Sequence, residues 1–151
     1  MTMEHTVLFL DDEANILTAL KRAMRKESFR VLTAASGEEG LELLAEHEVS
    51  VIVSDQNMPG MMGAEFLARS RTVAPNAVRM MLTGYSDMET ATQAINEGEI
   101  SRFITKPWDD DDLTLVLHDA IKRFSLEQEN RQLAEDLQKA NAGLEEKVLE
   151  R

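Results

Sequence analysis

Hydrophobic residues in this chain fall into short bursts that alternate between two rhythms. Val7-Leu8-Phe9-Leu10, Val49-Ser50-Val51-Ile52-Val53-Ser54, Val78-Arg79-Met80-Met81-Leu82 and residues 100–105 are brief, mostly apolar runs. Such runs read as strands buried on both faces. Residues 29–34 alternate enough to predict a strand nearer a sheet edge. Between these runs the spacing turns helical. Ile16, Leu17, Leu20 and Met24 share one face, with Lys21, Arg22 and Arg25 on the other. Ser36-Gly37-Glu38-Glu39 has the spacing of a capping box and precedes Leu41 and Leu44. Phe66, Leu67 and Ser70 carry a helix that stops before Pro75, and Ser86-Asp87-Met88-Glu89 opens another through Ala91, Ala94 and Ile95. From Asp109 the chain reads as helix, with Leu113, Val116, Leu117, Ala120, Ile121 and Phe124 as its buried stripe.

Strands alternating with helices over about 120 residues predict an α/β domain, a doubly wound five-stranded parallel sheet of flavodoxin-like order 2-1-3-4-5. In that order the first and third strands lie side by side at the centre. Ligands of such sheets bind beyond the carboxyl ends of the strands. There the first strand ends in Asp11-Asp12, the third in Asp55, the fourth in Thr83 and the fifth in Lys106-Pro107.

Three carboxylates held close together need a cation or a proton. All-oxygen donors without Cys or His suit a hard divalent ion, and Mg²⁺ is the expected one. An aspartate can also attack phosphorus, and phosphoryl transfer chiefly needs alignment and charge neutralisation. A metal on one side of Asp55 and the Lys106 ammonium on the other would supply both, with the Thr83 hydroxyl donating to a phosphoryl oxygen. Taken singly, each residue has a plainer reading. Asp11-Asp12-Glu13 is a favourable charge at a helix start, and residues 109–112 are an N-cap with an acidic first turn.

Composition narrows the classes. The 151 residues carry a net charge of -12, which argues against a nucleic-acid backbone as partner of this segment. No cysteine means no disulfide framework or thiolate metal site, as expected of a cytoplasmic protein. No apolar run approaches the ~20 residues of a membrane span, so no membrane partner is expected. His5, His47 and His118 are scattered, so no histidine metal site is expected.

After Phe124, residues Leu126, Asn130, Leu133, Leu137, Ala140 and Leu144 recur at alternating intervals of four and three, a heptad seam. Gly143 weakens it locally. With Leu126 at d, Asn130 falls at a, where a buried Asn favours a parallel two-stranded register. The plain alternative is a solvated helix on a monomer. No break separates this seam from the preceding helix, so one continuous rod and a parallel homodimer are expected.

Asp11-Asp12, Asp55, Thr83 and Lys106-Pro107, in this order at these strand ends, resemble the receiver domain of bacterial two-component response regulators. The resemblance covers roughly residues 5–124. It divides the chain into a receiver at 1–124 and a coiled-coil transmission helix at 125–151, leading to an output domain beyond it. It implies that Asp55 accepts a phosphoryl group from the phosphohistidine of a sensor histidine kinase or phosphotransfer protein. It also implies that Asp12, Asp55 and the Asn57 carbonyl hold Mg²⁺ directly, with Asp11 acting through water. Thr83 and Phe103 would be a switch pair, and Asn57 and Tyr85 would tune loss of the phosphoryl group. The switching surface would be the fourth helix, fifth strand and fifth helix, and the Lys106–Pro107 bond would be cis. The chain is then a switch and not itself an enzyme. Its output is expected to be a cyclic-dinucleotide phosphodiesterase or cyclase, or a kinase module. Two other readings stand beside this one: a degenerate receiver used as an interaction scaffold, and an aspartyl-phosphate phosphatase. The second requires an aspartate where Glu13 stands and leaves Asp55 without a purpose.

Overall fold

The computed structural model describes residues 5–84 and 100–149, with side chains through residue 143. Strands β1 (Thr6–Leu10), β3 (Val51–Asp55) and β4 (Val78–Thr83) are buried along their whole length, as runs apolar on both faces require. Strands β2 (Arg30–Ala34) and β5 (Arg102–Thr105) carry partly exposed residues and form the two edges. The five strands are all parallel in the order β2-β1-β3-β4-β5, as the sequence predicts.

Helices α1 (Ala14–Ala23), α2 (Gly37–Glu46), α3 (Gly63–Val73) and α4 (Asp110–Leu149) cover the two faces of the sheet. Side chains of a strand alternate between faces, so the apolar runs divide into two cores. Val7, Phe9, Val51, Val53, Val78, Met80 and Leu82 meet Leu20 of α1, Met24 at its C-cap, and Leu113, Leu117, Ala120 and Phe124 of α4. Leu8, Leu10, Ile52 and Met81 face the other way, against Leu44 of α2 and Phe66 and Leu67 of α3. Each buried aliphatic or aromatic side chain contributes roughly 1.5–3 kcal/mol. A one-residue slip of a central strand would exchange its two faces, so the cores also hold the register.

The helix ends follow their sequence signals with small shifts. Ser36 Oγ accepts from the Glu39 N–H at 3.2 Å, while Glu39 Oε2 accepts from the Ala35 N–H at 3.0 Å, one residue further back than the usual box partner. Asp109 Oδ1 accepts from the N–H groups of Asp111 and Asp112 at 2.9 and 3.1 Å, capping α4. The helix carrying Phe66 begins earlier than its apolar spacing suggests, at Gly63. The expected helix through Ala91, Ala94 and Ile95 lies outside the described residues.

The last helix continues unbroken for 40 residues, about 60 Å at 1.5 Å per residue. Its root is tied to the sheet by His5, whose Nδ1 lies 2.9 Å from Ser50 Oγ and whose Nε2 lies 3.1 Å from Ser125 Oγ. The same ring meets Phe124 edge-on at 5.9 Å. Beyond this contact the seam residues face outward: Leu126, Leu133 and Leu137 are 51%, 61% and 62% exposed. Asn130 and Ala140 are exposed too, and Leu144 lies past the last described side chain. No described helix is long and apolar enough to cross a membrane.

Candidate functional site

Backbone pairing runs one residue past three of the strands and so fixes the groups that follow them. The N–H of Asp11 donates to Ala34 O at 3.2 Å, that of Gln56 to Leu82 O at 3.3 Å, and that of Lys106 to Thr83 O at 2.9 Å. Asp11, Asp55 and Lys106 therefore stand on sheet backbone at one edge. The Lys106–Pro107 peptide bond is cis.

The Lys106 ammonium lies between two acids, with Nζ 2.9 Å from Asp11 Oδ2 and 3.0 Å from Asp55 Oδ1. The other oxygen of Asp11, Oδ1, accepts from the Glu13 N–H at 2.9 Å. Asp11 is fully buried and both its oxygens are engaged, whereas Asp12 is exposed at the mouth of the site. Asp11, Asp12 and Asp55 each offer a carboxylate oxygen, and these oxygens lie within 4.8 Å of one another. This all-oxygen set, part buried and part open, fits a hard divalent cation that keeps some of its water. The open positions come from Asp12 and the free side of Asp55.

Burial raises the Asp55 pKa above the ordinary carboxylate value. The hydrogen bond and charge of Lys106 pull it down, and repulsion from Asp11 and Asp12 adds to the rise. Burial acts to lower the pKa of Lys106, but its hydrogen bonds to Asp11 and Asp55 and their charges outweigh this, and the net shift is upward.

Thr83 is the last residue of β4 and is buried, and its Oγ1 donates to the neighbouring Gly84 O at 3.3 Å. Phe103 on β5 is partly buried against the core shared by Leu10, Met81 and Phe66. The register pairs Met81 with Phe103 and Thr83 with Thr105. Thr83 and Phe103 are therefore diagonal neighbours on one face of the sheet. Asn57 is exposed on the loop after Asp55, and Tyr85 lies outside the described residues. His118, at its own place on α4, has Nε2 2.9 Å from Glu27 Oε1, remote from this constellation in its partners.

Two residues beside the site are not singled out by the sequence pattern. Gln56 is 3% exposed, and its Oε1 accepts from the Ala64 N–H at 3.0 Å in the first turn of α3. Gly63 lies so close to the Asp55 carbonyl that a Cβ there would overlap its oxygen. The signal for Gly63 is a glycine at a helix start just beyond the Pro-Gly turn. Gln56 offers no such signal, because its partner is set by tertiary closure of the loop.

Comparison with known proteins agrees with this geometry. The response regulator receiver domain family matches residues 7–118. The hydrogenase transcriptional regulatory protein HoxA of Bradyrhizobium diazoefficiens is 36% identical over 149 residues, 99% of this chain and 30% of HoxA. The chain thus spans under a third of that relative. Among solved structures, the signal receiver domain of an HD domain-containing protein from Pseudomonas fluorescens Pf-5 aligns with a TM-score of 0.81 at 35% identity. That alignment covers 85% of this chain and 95% of the other. An adenylate cyclase structure from Rhodopirellula baltica aligns at 0.82 with 36% identity, covering 88% and 98% respectively.

Proposed function

The chain belongs to the response regulator receiver domain family, and on that premise we propose that Asp55 is its phosphoacceptor and that the long helix carries the state of Asp55 onward. The observation that supports this most is the placement of Asp55, with Oδ1 3.0 Å from the Lys106 ammonium and its carboxylate grouped with the exposed Asp12.

The donor is the phosphohistidine of a sensor kinase or phosphotransfer protein. An Asp55 oxygen attacks phosphorus in line, an O–P bond forms, the P–N bond breaks, and the imidazole takes up a proton as it leaves. Lys106, already 3.0 Å from Asp55 Oδ1, holds the ionised form of the attacking group and then faces the charge of the phosphoryl oxygens. Asp12, Asp55 and the Asn57 carbonyl would hold Mg²⁺, with Asp11 acting through water, and the ion would supply charge neutralisation for the phosphoryl group. Asn57 and Tyr85 tune how readily the acyl phosphate is hydrolysed.

The Thr83 hydroxyl then leaves the Gly84 carbonyl for a phosphoryl oxygen. Phe103 fills the space behind it. One or two charge-assisted hydrogen bonds contribute about 2–3 kcal/mol, enough to shift a two-state balance about 30- to 150-fold. The root of α4 packs under the same sheet, so the change reaches the exposed seam from Leu126 onward. That seam pairs two copies in parallel, with Asn130 opposing slippage. The chain is a switch and not itself an enzyme. Its output is a separate module, a cyclic-dinucleotide phosphodiesterase or cyclase or a kinase module, and the similar structure named as an adenylate cyclase supports the cyclase among these. HoxA, a transcriptional regulator by name, favours a second reading in which the output acts on transcription.

Beryllofluoride, an acyl-phosphate mimic, tests the assignment through Trp108, the single tryptophan and two residues from Lys106. Its fluorescence should change on adding beryllofluoride only when Mg²⁺ is present, and not at all in Asp55→Asn. A response in Asp55→Asn equal to that of the wild type would overturn it.

A further inference from the structure

Gln56, the residue after Asp55, ties together three elements. Its N–H donates to Leu82 O of β4 at 3.3 Å, and its carbonyl accepts from the Gly63 N–H at 3.0 Å. Its side-chain Oε1 accepts from the Ala64 N–H at 3.0 Å. The first turn of a helix leaves N–H groups without partners inside the helix. A side chain at the N-cap usually takes one, but here the N-cap is Met62, which offers no such bond. Gln56 supplies the acceptor from eight residues back. Its amide is almost wholly buried, so the bond is shielded from competing water.

These bonds close the loop of residues 57–62 at its base. Asn57 is the first residue of that loop. Gly63 completes the closure, because only a residue without Cβ lets α3 start against the Asp55 carbonyl. The path of the Asn57 backbone is therefore set from below by Gln56 and from the far end by Gly63 and Ala64.

We infer that Gln56 is a positioning residue for the acidic site: it touches neither metal nor phosphoryl group, and it aims the Asn57 carbonyl toward the cation held by Asp12 and Asp55. This rests on the reading of Asn57 given above. Groups that orient metal ligands through hydrogen bonds typically change affinity 10- to 100-fold when removed. A residue that merely filled space would leave metal affinity alone once a side chain of equal bulk replaced it.

The test uses the whole chain with Gln56→Met, which keeps bulk and loses the acceptor. Gln56→Asn keeps the amide but falls one carbon short of Ala64, and Gln56→Glu keeps an acceptor at the same reach. Mg²⁺ is titrated by calorimetry, and amide exchange is followed in the metal-free protein. The Met and Asn variants should bind Mg²⁺ roughly 10-fold more weakly. They should also exchange the Ala64 amide at least tenfold faster, with the β1 amides unchanged. Gln56→Glu should keep Ala64 protected. Should Gln56→Met not fold, the Asn variant carries the same expectation. Mg²⁺ affinity within twofold of wild type in a folded variant whose Ala64 amide is released overturns the inference while leaving Asp55 in place. A wild-type chain that takes no Mg²⁺ overturns the metal site itself.

Discussion

Lys106 Nζ lies 2.9 Å from Oδ2 of Asp11, whose side chain is only 1% exposed. The pair joins residues 95 positions apart and brings β5 to the end of β1. Removing one partner of a buried pair strands the other, at a cost of about 3 kcal/mol. Lys106→Met should therefore lose about 3 kcal/mol of unfolding free energy in the presence of a chelator. Millimolar Mg²⁺ should return more stability to this variant than to the wild type, since the acids then lack any other cation. Urea denaturation with and without Mg²⁺ measures both effects. A variant as stable as wild type in chelator would contradict the structural role of the pair.

The pH dependence follows from the two upward shifts. For Asp55 the folded state holds its proton more tightly than the unfolded state does, so this group's contribution falls as pH rises from the ordinary carboxylate value through the raised one. The ionised carboxylate is then a net burden on the metal-free fold at neutral pH. Asp55→Asn should be more stable than wild type at pH 7 without Mg²⁺, and the difference should shrink on acidification toward pH 4. For Lys106 the sign is that of a stabilising cation: its contribution is present below the ordinary lysine value and lost as pH rises through the raised one. Denaturation midpoints across pH 4–11 check both slopes.

Thr83 and Phe103 share a sheet face one step apart, and the Thr83 hydroxyl now rests on Gly84 O. Thr83→Ala should leave uptake of a phosphoryl group within a few fold of wild type. It should lose most of the NMR shifts that beryllofluoride induces along β5. Identical shifts in the two proteins would rule out coupling through the hydroxyl.

Leu133 and Leu137 are more than 60% exposed on one side of α4, while Phe124 and Ser125 on the other side hold the sheet. The full chain should sediment as a dimer at tens of micromolar, and Leu133→Lys with Leu137→Lys should be monomeric with an unchanged receiver. Truncation after Phe124 should leave a folded domain with much weaker self-association. A wild-type monomer under these conditions removes the coiled coil from this chain.

The strand ends were legible because an apolar run that stops at an aspartate marks both a buried strand and the edge where ligands bind. Strand order then brought Asp11, Asp12, Asp55 and Lys106 together, since parallel strands share one carboxyl edge. The acidic start of α4 and the Ser36 cap were legible for the same local reason, a side chain acting within four residues. What could not be read is set by closure in space. His5 meets Ser50 and Ser125 from 45 and 120 positions away, and no periodicity records that. Gln56 meets Ala64 across a turn whose path depends on Gly63. Arg79 sits inside β4 as a charge in an apolar run, and the structure shows its guanidinium donating to Ala74, Pro75 and Ala77 carbonyls. Those carbonyls come together only once the loop before β4 has folded.

The proposed switch depends on metal-dependent phosphorylation of Asp55. Intact-mass measurement after incubation with acetyl phosphate tests it most directly, on wild type, Asp55→Asn and Asp12→Ala, each with and without Mg²⁺. One base-labile phosphoryl group is expected on the wild type with Mg²⁺, much less on Asp12→Ala, and none on Asp55→Asn or in chelator. One phosphoryl group gained by Asp55→Asn at the wild-type rate would contradict it.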